Sequence, residues 1–282
     1  MTMEGKATAP IPLFWYRDTP NFGDALAPLL VERFLGRRVV ASSPRRCRMC
    51  AVGSILDCFF SRGFSLKRRL YRRIAPPVLV WGCGFIQPER EGWTDPRRRL
   101  DVLAVRGKLS RERIRKYLGI DKEIALGDPG LLCARLLEGR EIPKTHDLGI
   151  IPHFVDRDNP LLGRFPADNS ILIDVGAPPF DVLEQIASCK AVVSSAMHGL
   201  IAADSLGIPN LRMVLGGKIL GGDYKFDDYY SAFGIENHPR VVLDGQSEFP
   251  DVQTIIDRYA VSREMVETVS ANLLEALALF AQ

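Results

Sequence analysis

Ala191-Val-Val-Ser194-Ser195-Ala196-Met197-His198-Gly199-Leu-Ile-Ala-Ala-Asp-Ser-Leu206 carries the plainest architectural signal in this chain. Its opening, Ala191–Ser194, is a short apolar run of the kind that forms a buried parallel strand. From Met197 to Leu206 the residues suit a helix, so the serine–histidine loop ends a strand and opens a helix. The same unit recurs upstream, where a strand at Leu13–Trp15 runs into the loop Tyr16–Gly23. Asp24 is read as the cap of a helix from Ala25 to Leu35, and Gly36 stops it. Val39–Val40, Met49–Val52, Val78–Trp81 and Val102–Val105 are further strands, with a helix over Leu109–Leu118. Downstream, strands at Leu148–Ile151, Ile171–Val175 and Asn210–Met213 alternate with a helix at Phe180–Ala187, and a helix over Ser262–Phe280 closes the chain. Strands separated by helices predict an α/β fold with parallel sheets covered on both faces. Ligands in such folds sit beyond the carboxyl ends of the strands.

The chain has 282 residues, which allows about two domains at ~150 residues each. The turn cluster Gly127-Asp-Pro-Gly130 falls where charge changes sign and separates residues 1–130 from 131–282. Two Rossmann-like domains facing a cleft are the expected arrangement. Residues 1–120 hold 24 Lys and Arg against 10 Asp and Glu, while the remainder holds 13 against 24. The first half therefore meets something anionic. An apolar share of 46% and a charged share of 25% exclude disordered, collagen-like and disulfide-stapled classes. No apolar run approaches the ~20 residues that cross a bilayer. Met1–Pro10 has no apolar core of a signal peptide, so a cytoplasmic protein is expected. Cys47-Arg-Met-Cys50 has a zinc-like spacing, but no second pair follows and the first histidine is His146. It reads as two reduced cysteines, and neither metal nor cofactor is expected. The arginine runs lack interleaved aromatics, which argues against nucleic acid.

Three loops stand where ligands should bind. Asn21-Phe-Gly-Asp24 lies at a helix start, where backbone amides favour an anion and the Asn21 amide can hold a hydroxyl or carboxylate. For Asp24, capping and proton transfer both remain open. Gly82-Cys-Gly84 follows a strand and lets a ligand approach the backbone, without the third glycine of a dinucleotide fingerprint. Ser194, Ser195 and His198 form the third loop, with His198 in the first helical turn as proton donor or phosphate ligand. Arg106 ends a strand and is placed in the cleft, whereas Arg111 faces solvent. Lys218 and Lys225, in the segment Gly216–Phe226, can close over an anion from the other side.

Taken in order, Asn21-Phe-Gly-Asp24, Val105-Arg-Gly-Lys-Leu-Ser-Arg111, Gly127-Asp-Pro129, Gly149-Ile-Ile-Pro-His153 and Ser194-Ser-Ala-Met-His-Gly-Leu-Ile-Ala-Ala203 resemble the polysaccharide pyruvyl transferase family. Lys225-Phe-Asp-Asp-Tyr-Tyr230 resembles that family's region after the histidine motif, and the likeness runs from about residue 13 to 235. The resemblance implies a fold similar to GT-B glycosyltransferases, phosphoenolpyruvate as donor, and a saccharide acceptor, lipid-linked in exopolysaccharide synthesis, converted to its pyruvate ketal. It maps the family's histidine onto His198 and an arginine onto Arg106. Many members carry an arginine two residues before the histidine, where this chain has Ala196; Lys218 or Arg212 then stands in. Two other readings stay open: a nucleotide-sugar glycosyltransferase, with Glu184 or Asp204 on the ribose, and a non-catalytic binder of anionic saccharide or lipid. Arg62-Gly-Phe-Ser-Leu-Lys-Arg-Arg-Leu-Tyr-Arg-Arg73 is the densest basic stretch. With Leu66, Leu70 and Ile74 at helical spacing, it reads either as a helix lying peripherally on an anionic membrane or as a solvated helix face.

Overall fold

The computed structural model describes residues 9–166 and 168–281, so residues 1–8 of the Met1–Pro10 stretch lie outside the described residues. The first half supplies strands β1 (Ile11–Phe14), β2 (Val39–Ala41), β3 (Met49–Ala51), β4 (Phe60–Ser61), β5 (Val78–Cys83), β6 (Asp95–Pro96), β7 (Leu100–Val105) and β8 (Ala125–Leu126). The second supplies β9 (His146–Ile151), β10 (Ser170–Leu172), β11 (Cys189–Ser194), β12 (Asn210–Val214) and β13 (Arg240–Val242). Helices α1 (Phe22–Leu35), α2 (Leu66–Ile74), α3 (Lys108–Leu118) and α4 (Pro179–Ala187) are followed by α5 (Met197–Ser205), α6 (Tyr224–Ser231), α7 (Val252–Arg258) and α8 (Arg263–Ala281).

Six strands form one sheet in the order β2-β1-β3-β5-β7-β8, and five form another in the order β10-β9-β11-β12-β13. Every pairing within the two sheets is parallel. The α/β reading with parallel sheets therefore holds. All six residues of β5 are buried, as a strand covered on both faces requires. The strand expected over Ile171–Val175 is shorter and ends at Leu172. Asp174 breaks it by turning its carboxylate onto the Gly176 amide, 2.8 Å away. Among the described residues no helix is long and apolar enough to cross a membrane.

Strand alternation divides the apolar side chains between layers. Leu79 and Trp81 of β5 enter the same core as Val192 of β11, together with Leu26 and Leu30 of α1, Leu200 and Ile201 of α5, and Leu273 of α8. Val78, Val80 and Val102 line the opposite side of the first sheet, and Ala191, Val193 and Leu211 the opposite side of the second. The two sheets thus share one central core. Although the turn cluster 127–130 lies between them in sequence, α8 returns to the first sheet, where the Trp81 Nε1–H donates to the Leu273 carbonyl at 3.0 Å. Gly127, at φ 138°, lies against Val269 and Leu273, where any side chain would collide.

A buried ion pair makes the second connection. Arg106, directly after β7, and Asp228 of α6 both have fully buried side chains, with Arg106 Nη2 2.9 Å from Asp228 Oδ2. Asp228 also accepts from the Ser110 amide at 2.8 Å and from its hydroxyl at 2.6 Å. It thereby caps α3, whose own N-cap, Gly107, has no side chain to do so. A Cβ on Gly107 would overlap the Asp228 carbonyl, so only glycine admits α6 there. Asp228→Ala strands the Arg106 charge and is expected to cost about 3–5 kcal/mol. Ser110→Ala, which removes one neutral donor, is expected to cost about 1 kcal/mol. Urea unfolding of the two variants tests this, and equal midpoints would show that the pair does not hold α6.

Candidate active site

A cavity of about 350 Å³ opens where the carboxyl edges of both sheets approach each other. From the first sheet come the loop after β1 (Tyr16 to Asp24), Ser54 beyond β3 and Ile86 beyond β5. The second contributes His153 and Phe154 beyond β9, Val175 beyond β10 and Ala196–Gly199 beyond β11, while Lys225 enters from α6. The Phe22 amide donates to the Val175 carbonyl at 2.6 Å and closes the seam between the two edges.

Helix α1 begins at Phe22, three residues earlier than the capping reading of Asp24 required. Asn21 is the cap: it is extended (φ −151°), its side chain accepts from the Gly23 amide at 3.1 Å, and its carbonyl accepts from Ala25. Asp24 is left on the cavity wall with an uncommitted capping role. Burial raises its carboxyl to about 6, against the opposing charges of His198 and Lys225 and the amide of Asn21.

His198 stands in the first turn of α5 with its ring wedged against α1. A Cβ on Gly23 would overlap its Nδ1, so this glycine sets how closely the two helix starts approach. Behind the ring, Nε2 lies 3.6 Å from Oδ2 of Asp128, which is fully buried. Asp128 accepts from the Gly130 amide at 2.9 Å and from the Gly53 amide at 3.4 Å. Burial pushes its carboxyl upward, but His198, the Gly130 amide and Arg106 together outweigh that and hold it below the usual carboxylate range. Presenting the Gly53 amide requires Val52 at φ 64° and Gly53 at φ 83°. A β-branched residue in that region is strained, and the strain sits beside the site.

Lys225 is only 6% exposed and lines the cavity. Burial, then the charges of Arg106 and Arg212, push its amine down to about 8. His153 is pushed down to about 4 by burial and by Lys225 and His198. Its Nδ1 accepts from the Val155 amide at 3.3 Å, and its own amide donates to Ser195 Oγ at 2.8 Å. The Ser195 hydroxyl in turn donates to Asp156 at 2.7 Å.

Of the residues singled out in the sequence, Asn21, Asp24, His198 and Lys225 meet on this wall. Ser195 is one step behind, steering His153. Ser194 is buried and closes its own turn through the Ile151 and Ala196 carbonyls. Gly84 lies against the Arg106 guanidinium. The placement of Arg106 in the cleft is corrected: it is wholly buried, and Asp228, the Ser54 hydroxyl and the Phe85 carbonyl take up its donors. Lys218 sits on an exposed loop away from the wall. Arg212 packs 3.8 Å over the Phe226 ring and is bound by Asp223 and His238, so neither replaces an arginine at Ala196. The proposed ribose carboxylates are also elsewhere: Glu184 pairs with Arg140 on the surface, and Asp204 is bound by Tyr229, Tyr259 and Asn210. Local pattern does not single out Asp128 or His153, although they lie in the motifs Gly127-Asp-Pro129 and Gly149–His153.

Residues 21–214 match the polysaccharide pyruvyl transferase family, and the chain belongs to it. An uncharacterized protein of Acanthamoeba polyphaga mimivirus is 38% identical over 137 residues, 47% of this chain and 48% of that protein. The succinoglycan biosynthesis protein ExoV of Rhizobium meliloti (strain 1021) is 27% identical over 236 residues, 82% of this chain and 67% of that one. The chain thus matches about half the length of the first relative and about two thirds of the second. A solved structure of an uncharacterized protein from Klebsiella pneumoniae subsp. pneumoniae NTUH-K2044 superposes with a TM-score of 0.44 at 11% identity, covering 83% of this chain and 93% of that one.

Gly23→Ala tests the wedge between α1 and α5. The added methyl is expected to displace the His198 ring and destabilise the fold by about 1–3 kcal/mol, as overpacking does. Imidazole NMR resonances of His198 should move while those of His238 stay in place. Unmoved His198 resonances would mean that the ring does not depend on Gly23.

Proposed function

We propose that this chain transfers pyruvate from phosphoenolpyruvate to two hydroxyls of one sugar in a lipid-linked exopolysaccharide repeat unit, forming a ketal and releasing phosphate. The observation that carries the reading is His198, backed by Asp128, meeting Lys225 and Asp24 on one cavity wall. Family membership supports pyruvyl transfer, and the relative named for succinoglycan biosynthesis supports an exopolysaccharide acceptor. Two parallel sheets with their carboxyl edges on a shared cavity are compatible with a GT-B-like architecture of two Rossmann-like units, 1–130 and 131–282. A cytoplasmic site of action is part of the same proposal.

Phosphoenolpyruvate brings a phosphate and a carboxylate into a cavity where Lys225 and the starts of α1 and α5 supply positive potential. His198 delivers a proton to the methylene carbon, which becomes the methyl group, and positive charge develops at the neighbouring carbon. A sugar hydroxyl adds there, its proton passing to Asp24. The carbon–oxygen bond to phosphate then breaks, the departing charge is met by Lys225, and the second hydroxyl closes the ketal with loss of its proton. Asp128 is a positioning residue: its buried carboxylate faces the ring from behind, 3.6 Å from Nε2. A nucleotide-sugar donor draws no support here, because Glu184 and Asp204 do not line the cavity.

Phosphoenolpyruvate at 100 times its Kd should stabilise the fold by about 2.7 kcal/mol in a thermal-shift titration, and nucleotide sugars should not. The reverse pattern would assign the site to glycosyl transfer. His198→Ala is expected to lower kcat by about 10²–10⁴-fold in donor-dependent phosphate release with an exopolysaccharide oligosaccharide. Retained turnover would remove His198 from the mechanism.

Two groups give limbs of the pH profile whose direction is fixed. Asp24 must be ionised to take a proton, so the rate rises as pH passes about 6. Lys225 must stay protonated to hold phosphate, so the rate falls as pH passes about 8. Asp24→Asn should abolish the acid limb along with most of the rate, and Lys225→Arg should carry the alkaline limb upward. A profile whose limbs ignore both substitutions would refute these roles.

A further inference from the structure

Helix α2 sits on the protein inverted relative to an ordinary surface helix, which turns its apolar side inward. None of its nine residues is buried. Its charged side faces the protein: Arg68 Nε is 3.0 Å from Asp95 Oδ2, and Arg72 Nη1 is 3.5 Å from Oδ1. Arg72 also donates to the Pro96 carbonyl at 3.1 Å, and the Tyr71 hydroxyl to the Arg45 carbonyl at 2.9 Å. At 3.6 residues per turn, the face opposite Arg68 and Arg72 carries Leu66, Leu70 and Ile74. Those side chains are 71%, 61% and 75% exposed, and Phe64, in the turn before the helix, is 71% exposed. Lys67 flanks this apolar stripe on one side, and Arg69 and Arg73 on the other. No Asp or Glu occurs between Arg62 and Ala75.

The cationic surface continues into a cavity of about 800 Å³ beside α2, whose walls include Arg45, Arg46, Lys67, Arg97 and Arg98. The neighbouring acid, Asp95, is already taken by Arg68 and Arg72. Arg98 is 2% exposed and spends its Nη donors on backbone carbonyls, but its Nε has no partner.

We propose that α2 and the Phe64 turn dock this protein on the surface of an anionic phospholipid bilayer. Phe64, Leu66, Leu70 and Ile74 enter the boundary between headgroups and acyl chains, and Lys67, Arg69 and Arg73 meet lipid phosphates. An outward apolar stripe flanked by cations on both sides is the pattern that such a surface binds. A second copy of the chain is a poorer occupant, because a two-fold contact sets cations against cations. The basic cavity beside α2 adjoins the candidate site: Tyr16, on the wall of that site, hydrogen-bonds at 3.0 Å to Cys58, which lines the basic cavity. The docking itself does not rest on the transfer reaction.

The test is co-sedimentation of the full chain with vesicles of phosphatidylglycerol and phosphatidylcholine, against phosphatidylcholine alone. Binding is expected only to the anionic vesicles and should weaken as salt is added. Replacing Lys67, Arg69 and Arg73 together by Gln should weaken partitioning about 100-fold, roughly fivefold per cation. Replacing Leu66, Leu70 and Ile74 together by Ser should weaken it at least as much. Both triple variants should keep the wild-type melting temperature, since no altered side chain is buried. Leu70→Trp should show a blue-shifted emission on adding anionic vesicles, which reports insertion without loss of any charge. Equal partitioning into neutral vesicles, or binding that neither triple variant weakens, would overturn the proposal. So would a solution dimer that the serine variant dissociates, which would give this face to a second copy.

Discussion

The Arg106–Asp228 pair sets the geometry on which the cavity depends. A fully desolvated guanidinium cannot be left half-partnered, because the charge that remains has neither water nor a counterion. Arg106 leaves the end of β7 fixed in direction, so α6 must approach until Asp228 reaches it. Lys225 lies one helical turn before Asp228 and is thereby carried to the cavity wall. The same guanidinium holds the Ser54 hydroxyl and the Phe85 carbonyl, ordering the ends of two further strands. Its charge also helps lower the Lys225 amine, so one buried cation both places and tunes the cation on the cavity wall.

Much of this was legible in the sequence where local pattern dictates structure. Apolar runs bounded by turn residues located the strands, and the loops at their carboxyl ends marked Asn21, Asp24 and His198 correctly as cavity residues. What local pattern cannot supply is the identity of a distant partner. An arginine ending a strand reads equally well as a ligand contact or as a structural ion pair, and the acid that decides for Arg106 lies 122 residues away. Asp128 reads as a turn former because its approach to His198 is a contact between elements from the two halves. Asp24 was taken for the cap because capping residues are interchangeable in pattern. The actual cap, Asn21, is identified only by its bond to Gly23.

Helix α2 shows the same limit for a surface. Periodicity reveals two faces of unlike character but not which of them meets the protein. Asp95 decides, since it binds Arg68 and Arg72 and leaves the leucines outward. The acid comes from strand β6, 23 residues after Arg72 in a different element, and no rule of spacing connects the two.

Ala196 stands where the family resemblance leads to the expectation of an arginine, and the backbone takes a different part there. As N-cap of α5 it offers no side-chain acceptor, so the first amides of the helix are left for the cavity rather than for a cap. Ser194 keeps the turn tight by bonding both the amide and the carbonyl of Ala196. The positive potential of that helix start adds to the charge of Lys225 in a cavity that water only partly screens. An anionic group entering the cavity is stabilised by both, whereas a neutral group is not. Asp24 opposes this field near neutrality, where a carboxyl raised to about 6 is mostly ionised, and ceases to oppose it as pH falls below that value. The positive side of the field at this wall is therefore assembled from several elements, with Lys225 providing a side-chain charge and two helix starts the backbone part.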